Sequence, residues 1–111
     1  MTDDLWTTKR GLWMSRADFY ADHMASDAIM VFPAPAGILR GAAITAGMTG
    51  APPWTDVEMD ERQERVEGAV AVIAYHATGH RDGAPPYRVR CGSTYILTDR
   101  WRIAAHQQTP D

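Results

Sequence analysis

Between Gly68 and Gln108 the chain alternates apolar and polar residues in three runs separated by turn signals, and this stretch commits it to antiparallel sheet. In the first run, Gly68 to His80, Ile73, Tyr75 and Ala77 fall on one side and Val72, Ala74, His76 and Thr78 on the other. Asp82-Gly83-Ala84-Pro85-Pro86 then turns the chain. Tyr87 to Thr98 repeats the pattern, with Val89, Cys91, Ser93, Tyr95 and Leu97 opposite Arg88, Arg90, Gly92, Thr94 and Ile96. A tight turn at Asp99-Arg100 leads into the last strand, Trp101 to Gln108, completing a meander. Asp56 to Glu67 has helical composition, but its apolar residues, Val57, Met59 and Val66, make no helical stripe. Glu67-Gly68 suits a hairpin turn, so this segment is expected to be a further strand with a polar exposed face.

The N-terminal part reads as helix. Leu5, Trp6, Leu12 and Trp13 share one helical stripe, although Gly11 costs about 1 kcal/mol relative to Ala and predicts a bend or break. Ser15 is placed to cap a second helix, with Asp18 in its first turn and Phe19, Tyr20, His23 and Met24 on its inner face. Ala28 to Phe32 is expected to be a short strand, Pro33 to Gly37 a loop, and Gly41 to Met48 a short helix closed by Gly47, Gly50 and Pro52-Pro53. Helices followed by a meander in 111 residues predict one α+β domain spanning 1–111.

Charge and cysteine content exclude several classes. Eleven Lys+Arg against 14 Asp+Glu, mixed along the chain, leave no basic footprint for nucleic acid or acidic membrane. The longest apolar run, Ala69 to Tyr75, is far short of the roughly 20 residues a membrane helix needs. The single cysteine, Cys91, and a start without basic and apolar signal regions point to the cytoplasm.

Two segments carry a family resemblance. MASDAIMVFPAPAGILRGAAI, Met24 to Ile44, resembles the acidic turn, first strand, Pro/Gly loop and pre-helix Gly of the nuclear transport factor 2-like superfamily. STYILTDRWRIAAHQQTP, Ser93 to Pro110, looks like the final hairpin of its small bacterial members of SnoaL-like, or domain of unknown function 4440, type. The resemblance implies a cone: a curved antiparallel sheet wrapped around N-terminal helices, enclosing an apolar pocket. Val70, Val72, Ala74 and Ile96 lie on the face opposite the expected cavity lining, and that much apolar surface predicts a homodimer through the outer sheet face. It implies no single chemistry, so function rests on the site.

Steroid isomerases of this fold carry a catalytic aspartate before a proline at the end of the first strand, where this chain has Phe32-Pro33. Their oxyanion donors are a first-helix tyrosine, absent before Tyr20, and a protonated acid near the position of Ser93. Steroid isomerisation is therefore not expected. His106 is the candidate general acid/base of an isomerase- or polyketide-cyclase-like enzyme, since histidine titrates near neutrality. The alternative is a histidine bonded within the sheet. Strand period pairs His106 with Gln108 and sets Gln107 with Trp101 and Ile103, leaving open which set faces the cone. Tyr75, Ser93, Tyr95, Gln108, Phe32 and Trp54 are the candidate ligand-binding residues, with a core tyrosine the plain alternative for Tyr75. The expected partner is an apolar small molecule. No cofactor motif appears, and on a strand His76 and His80 lie roughly 13 Å apart, too far to share a metal. Cys91 lacks any local feature that activates a thiol.

Overall fold

The computed structural model describes residues 2–14, 17–48 and 54–111. Helices α1 (Thr2–Met14) and α2 (Ala17–His23) precede strand β1 (Met24–Val31), the short β2 (Ile38–Arg40) and helix α3 (Ala42–Met48). Four long strands follow: β3 (Asp56–Glu67), β4 (Val70–His80), β5 (Tyr87–Leu97) and β6 (Trp101–Pro110). They form one six-stranded sheet in the order β2-β1-β6-β5-β4-β3. The charged segment 56–67 is indeed a strand, paired along β4. Its hairpin turns at Gly68, whose φ of +57° suits glycine at the first turn position. The expected Ser15 cap and the closure at Gly50 to Pro53 lie outside the described residues.

Four expectations need correcting. The sheet is mixed rather than purely antiparallel, because β1 runs parallel to β6. The first strand begins at Met24, so Met24 belongs to β1 and not to the preceding helix. The expected loop leads into a strand not foreseen, β2, which pairs with β1 from Ile29 to Val31. Helix α1 continues through Gly11 without a break. A Cβ there would meet the Phe19 ring at 2.5 Å, so the glycine lets α2 pack close against α1.

Three irregularities govern which side chains point inward. On β6, Thr94 pairs with Ala105 and Tyr95 with Ile103, so Ala104 is an inserted bulge residue. On β3, Glu61 and Arg62 together oppose Tyr75, and Glu61 has φ of +52°. On β1, the pairing shifts between Met24 and Ile29, where Asp27 has φ of +57°. Such bulges bend strands and increase their twist, which fits the curved sheet. The concave face buries Ala71, Ile73, Tyr75 and Ala77 from β4, Val89, Cys91, Ser93 and Tyr95 from β5, and Ile103 and His106 from β6. Helix α1 covers this face with Leu5, Trp6, Leu12 and Trp13. The Trp6 indole N–H donates to Glu64 and Arg10 donates to the Val57 carbonyl, tying the helix to β3.

Candidate functional site

The polar centre of the core is built by cross-strand registry. Ser93 lies directly opposite His106, and Cys91 lies opposite both Tyr75 and Gln108. The Ala104 bulge shifts strand parity by one, so Ile103 and His106 both face inward. Strict alternation, which groups Gln107 with Ile103, is therefore corrected: Gln107 is exposed, and His106 is 5% exposed.

Lys9 completes this centre, and the sequence reading missed it. It sits on α1 four residues after Leu5 and three before Leu12, inside the apolar stripe, and is 2% exposed. That position was the available signal. Its Nζ lies 2.9 Å from His106 Nδ1, and Ser93 Oγ lies 2.7 Å from the same nitrogen. On the other side of the ring, Gln108 Nε2 lies 3.1 Å from His106 Nε2. The Tyr87 hydroxyl donates to Gln108 Oε1 at 3.1 Å. The Phe32 ring is 6.0 Å from the imidazole, centre to centre.

Burial lowers the Lys9 pKa to about 7. Burial, with the Lys9 charge second, holds the imidazole well below its ordinary 6.5, so His106 is neutral at physiological pH. The two groups cannot both be charged. Their proton states are tied to the whole chain of hydrogen bonds. A neutral Lys9 allows His106 to donate through Nδ1 and to accept at Nε2 from the Gln108 amide. An ammonium has donors only, so Nδ1 then becomes the acceptor, the ring proton sits on Nε2, and the Gln108 amide presents its oxygen. Lys9 is thus coupled through His106 and Gln108 to Tyr87.

The other predicted residues divide. The Tyr75 hydroxyl accepts from the Trp13 indole N–H at 2.9 Å, giving it a structural partner inside the core. The Tyr95 hydroxyl is fully buried and has no hydrogen-bond partner among the described residues. Trp54 stands apart from His106: it stacks on Tyr87 at 5.5 Å, beneath the Arg81 guanidinium, where Gly79 leaves room for its ring. Burial pushes the Cys91 thiol up to about 11, which leaves it protonated and inert. A recess of about 360 Å³ lined by Met24, Ala25, Ser26, Ile96, Thr98 and Arg102 involves none of these residues.

On the outer face, ligand atoms of Asp60, Glu61 and His76 lie within 4.8 Å of one another. His76 there contacts Asp111 Oδ2 and Asp60 Oδ1, both at 3.0 Å, and Asp111 foremost raises its pKa. A protonated imidazole donating from both nitrogens accounts for that arrangement. His80 pairs separately with Glu58 at 2.8 Å. Among the described residues no helix is long and apolar enough to cross a membrane.

No family model and no curated protein matches the chain. Solved structures do. A Parabacteroides distasonis protein provisionally named a ketosteroid isomerase superposes with a TM-score of 0.84 at 14% identity, covering 96% of this chain and 85% of its own. An NTF2-like protein from Cytophaga hutchinsonii gives 0.83 at 12% identity, covering 100% and 98%. A protein from Exiguobacterium sibiricum, provisionally named a Ca/calmodulin-dependent kinase II association domain, gives 0.82 at 14%, covering 99% and 90%. Their names span different activities while their backbones agree, and what they share with this protein is its architecture: the chain has the nuclear transport factor 2-like fold.

Proposed function

We propose that the protein is a small-molecule-binding domain of SnoaL-like type, whose concave face receives the polar end of a largely apolar ligand. The observation that carries this reading is a connected polar set, Lys9, Ser93, His106 and Gln108, set among apolar side chains on the inner face of the sheet. A fold gains little stability from burying an amine beside a neutral imidazole, so a ligand role explains its presence better than packing does. Tyr95 belongs to the same reading, because its buried hydroxyl lacks a partner among the described residues. Phe32 beside the imidazole, with Tyr75 and Trp54 farther along the face, supplies apolar wall. The test is a fragment titration followed by amide and side-chain NMR. Binding is expected to shift Ser93, Tyr95 and His106 together, and ligands that shift only outer-face residues would contradict the reading.

A second reading, a proton-transfer enzyme, is favoured by the Lys9 pKa near 7 beside His106 Nδ1. In that case Lys9 is the group that changes protonation at neutral pH, and His106 passes the proton on. The resemblance sets Phe32-Pro33 against the isomerases' Asp-Pro, so steroid isomerisation is not part of this reading. Its test is turnover of Lys9→Met at saturating substrate: turnover that stays lost at saturation is expected, and turnover restored by saturation would reduce Lys9 to a binding group.

The proposal includes a homodimer in the cytoplasm. Val70 and Val72 are 44% and 42% exposed on the outer face, beside Ile96 and Thr94 of β5, an apolar surface suited to a second copy. Sedimentation at micromolar concentration is expected to show a dimer, and a Val72→Lys change to yield monomer. A wild type that stays monomeric would remove this part of the reading.

A further inference from the structure

We propose that the ligand is an anion, a carboxylate or comparable oxyanion on an apolar body, and that the Lys9 ammonium is its counter-ion. This rests on the ligand-binding reading above and names the chemical class it takes.

Among the described residues Lys9 is a buried base without an acidic neighbour. Among the described residues the buried polar and charged ones are Lys9, Ser93 and His106, and every ion pair involves other side chains. Facing the core near it are His106 from β6 and Ser93 and Cys91 from β5, with Tyr75 of β4 opposite Cys91. None of them carries negative charge at neutral pH, since burial raises the Cys91 thiol and the Tyr75 phenol. Buried charges in folded proteins are paired, and here the described residues supply no partner.

Residue choice points the same way. Lys9 is the chain's single lysine, and the other ten basic residues are arginines. The described arginines lie at the surface or half-buried, where a permanent charge is well solvated. An arginine at position 9 would remain charged in the core at all times. A lysine can shed its proton when no anion faces it and take it back when one arrives. Ser93 Oγ shares the Nδ1 of His106 with Lys9, which places a hydroxyl donor beside the amine for the second oxygen of a carboxylate.

The experiment pairs three carboxylates of increasing size, benzoate, 2-naphthoate and decanoate, with their primary amides. Binding to the whole protein is measured by calorimetry at pH 7, alongside the ¹³Cε signal of Lys9, which one lysine makes unambiguous. At least one acid is expected to bind about tenfold or more tighter than its amide, as a charge-assisted contact supplies. By linkage the Lys9 pKa rises with it, and the preference disappears in Lys9→Met, with Lys9→Gln as a second variant. Acids and amides that bind alike, or a preference that survives both variants, would overturn the anion inference and leave the ligand-binding reading standing. Failure of acids and amides alike to bind would overturn both.

Discussion

Lys9→Met is expected to stabilise the protein at pH 7 by on the order of 3–5 kcal/mol, the opposite of what removing a core contact usually does. The size follows from a pKa lowered from 10.5 to about 7 by burial, at about 1.4 kcal/mol per unit. Methionine fills much the same space without a charge to desolvate, and Ser93 and His106 keep each other as partners. The pH dependence has a definite sign. Between about 7 and 10.5 the unfolded wild type binds the proton that the native state has released, so wild-type stability climbs through that window. Below 7 both states hold it and the full cost is present. The advantage of the variant therefore shrinks above pH 7 and is gone near pH 10.5. His106 adds a second dependence: its native pKa lies below 6.5, so stability falls as pH drops under that value, and less in the variant, which keeps the burial but lacks the Lys9 charge that also depresses the imidazole. Urea midpoints across pH 5.5 to 10.5 check this, and a variant less stable than wild type at pH 7 would contradict it.

Trp13→Ala is expected to cost about 3–5 kcal/mol, the range for removing a large aromatic from a core. Trp13 is 7% exposed, packs at 5.7 Å from Trp54 and 6.5 Å from Tyr87, and donates its indole N–H to Tyr75. The loss therefore combines a cavity with a buried phenol deprived of its donor. Trp13→Phe separates the two: it keeps most of the packing and is expected to cost about 1–3 kcal/mol, the penalty for the unmade hydrogen bond. Because Trp13 anchors α1, one turn beyond Lys9, amide exchange along α1 should also accelerate in the alanine variant. Chemical denaturation supplies the magnitudes, and an alanine variant within 1 kcal/mol of wild type would show that α1 is held by other contacts.

The strands were legible because their signal is local. Alternation over Gly68 to Gln108 and the Glu67-Gly68 turn specify the hairpins, and polar composition did not prevent residues 56–67 from pairing as a strand. What strict alternation misses is the bulge. Ala104 has no partner on β5, and one inserted residue reverses every later assignment on β6, including which of His106 and Gln107 is inside. Alanine leaves no mark in the sequence that distinguishes a bulge from an ordinary strand position. Gly11 shows the converse: local propensity predicts a break, and contact with Phe19 on α2, which a single helix cannot reveal, explains the glycine. Within the candidate site, Ser93, His106 and Gln108 were singled out from strand pattern and resemblance. Lys9 was passed over because a lysine in a helical stripe is ordinarily read by its charge, as surface, and not by its position between Leu5 and Leu12.

The most direct test is an NMR pH titration of the unliganded protein that follows Lys9 ¹³Cε and both ring nitrogens of His106. The buried network predicts a Lys9 pKa near 7, an imidazole that stays neutral down to well below pH 6.5, and a change in His106 tautomer as Lys9 loses its proton. A lysine titrating near 10.5, with a histidine titrating near 6.5, would place both side chains in water and contradict the account.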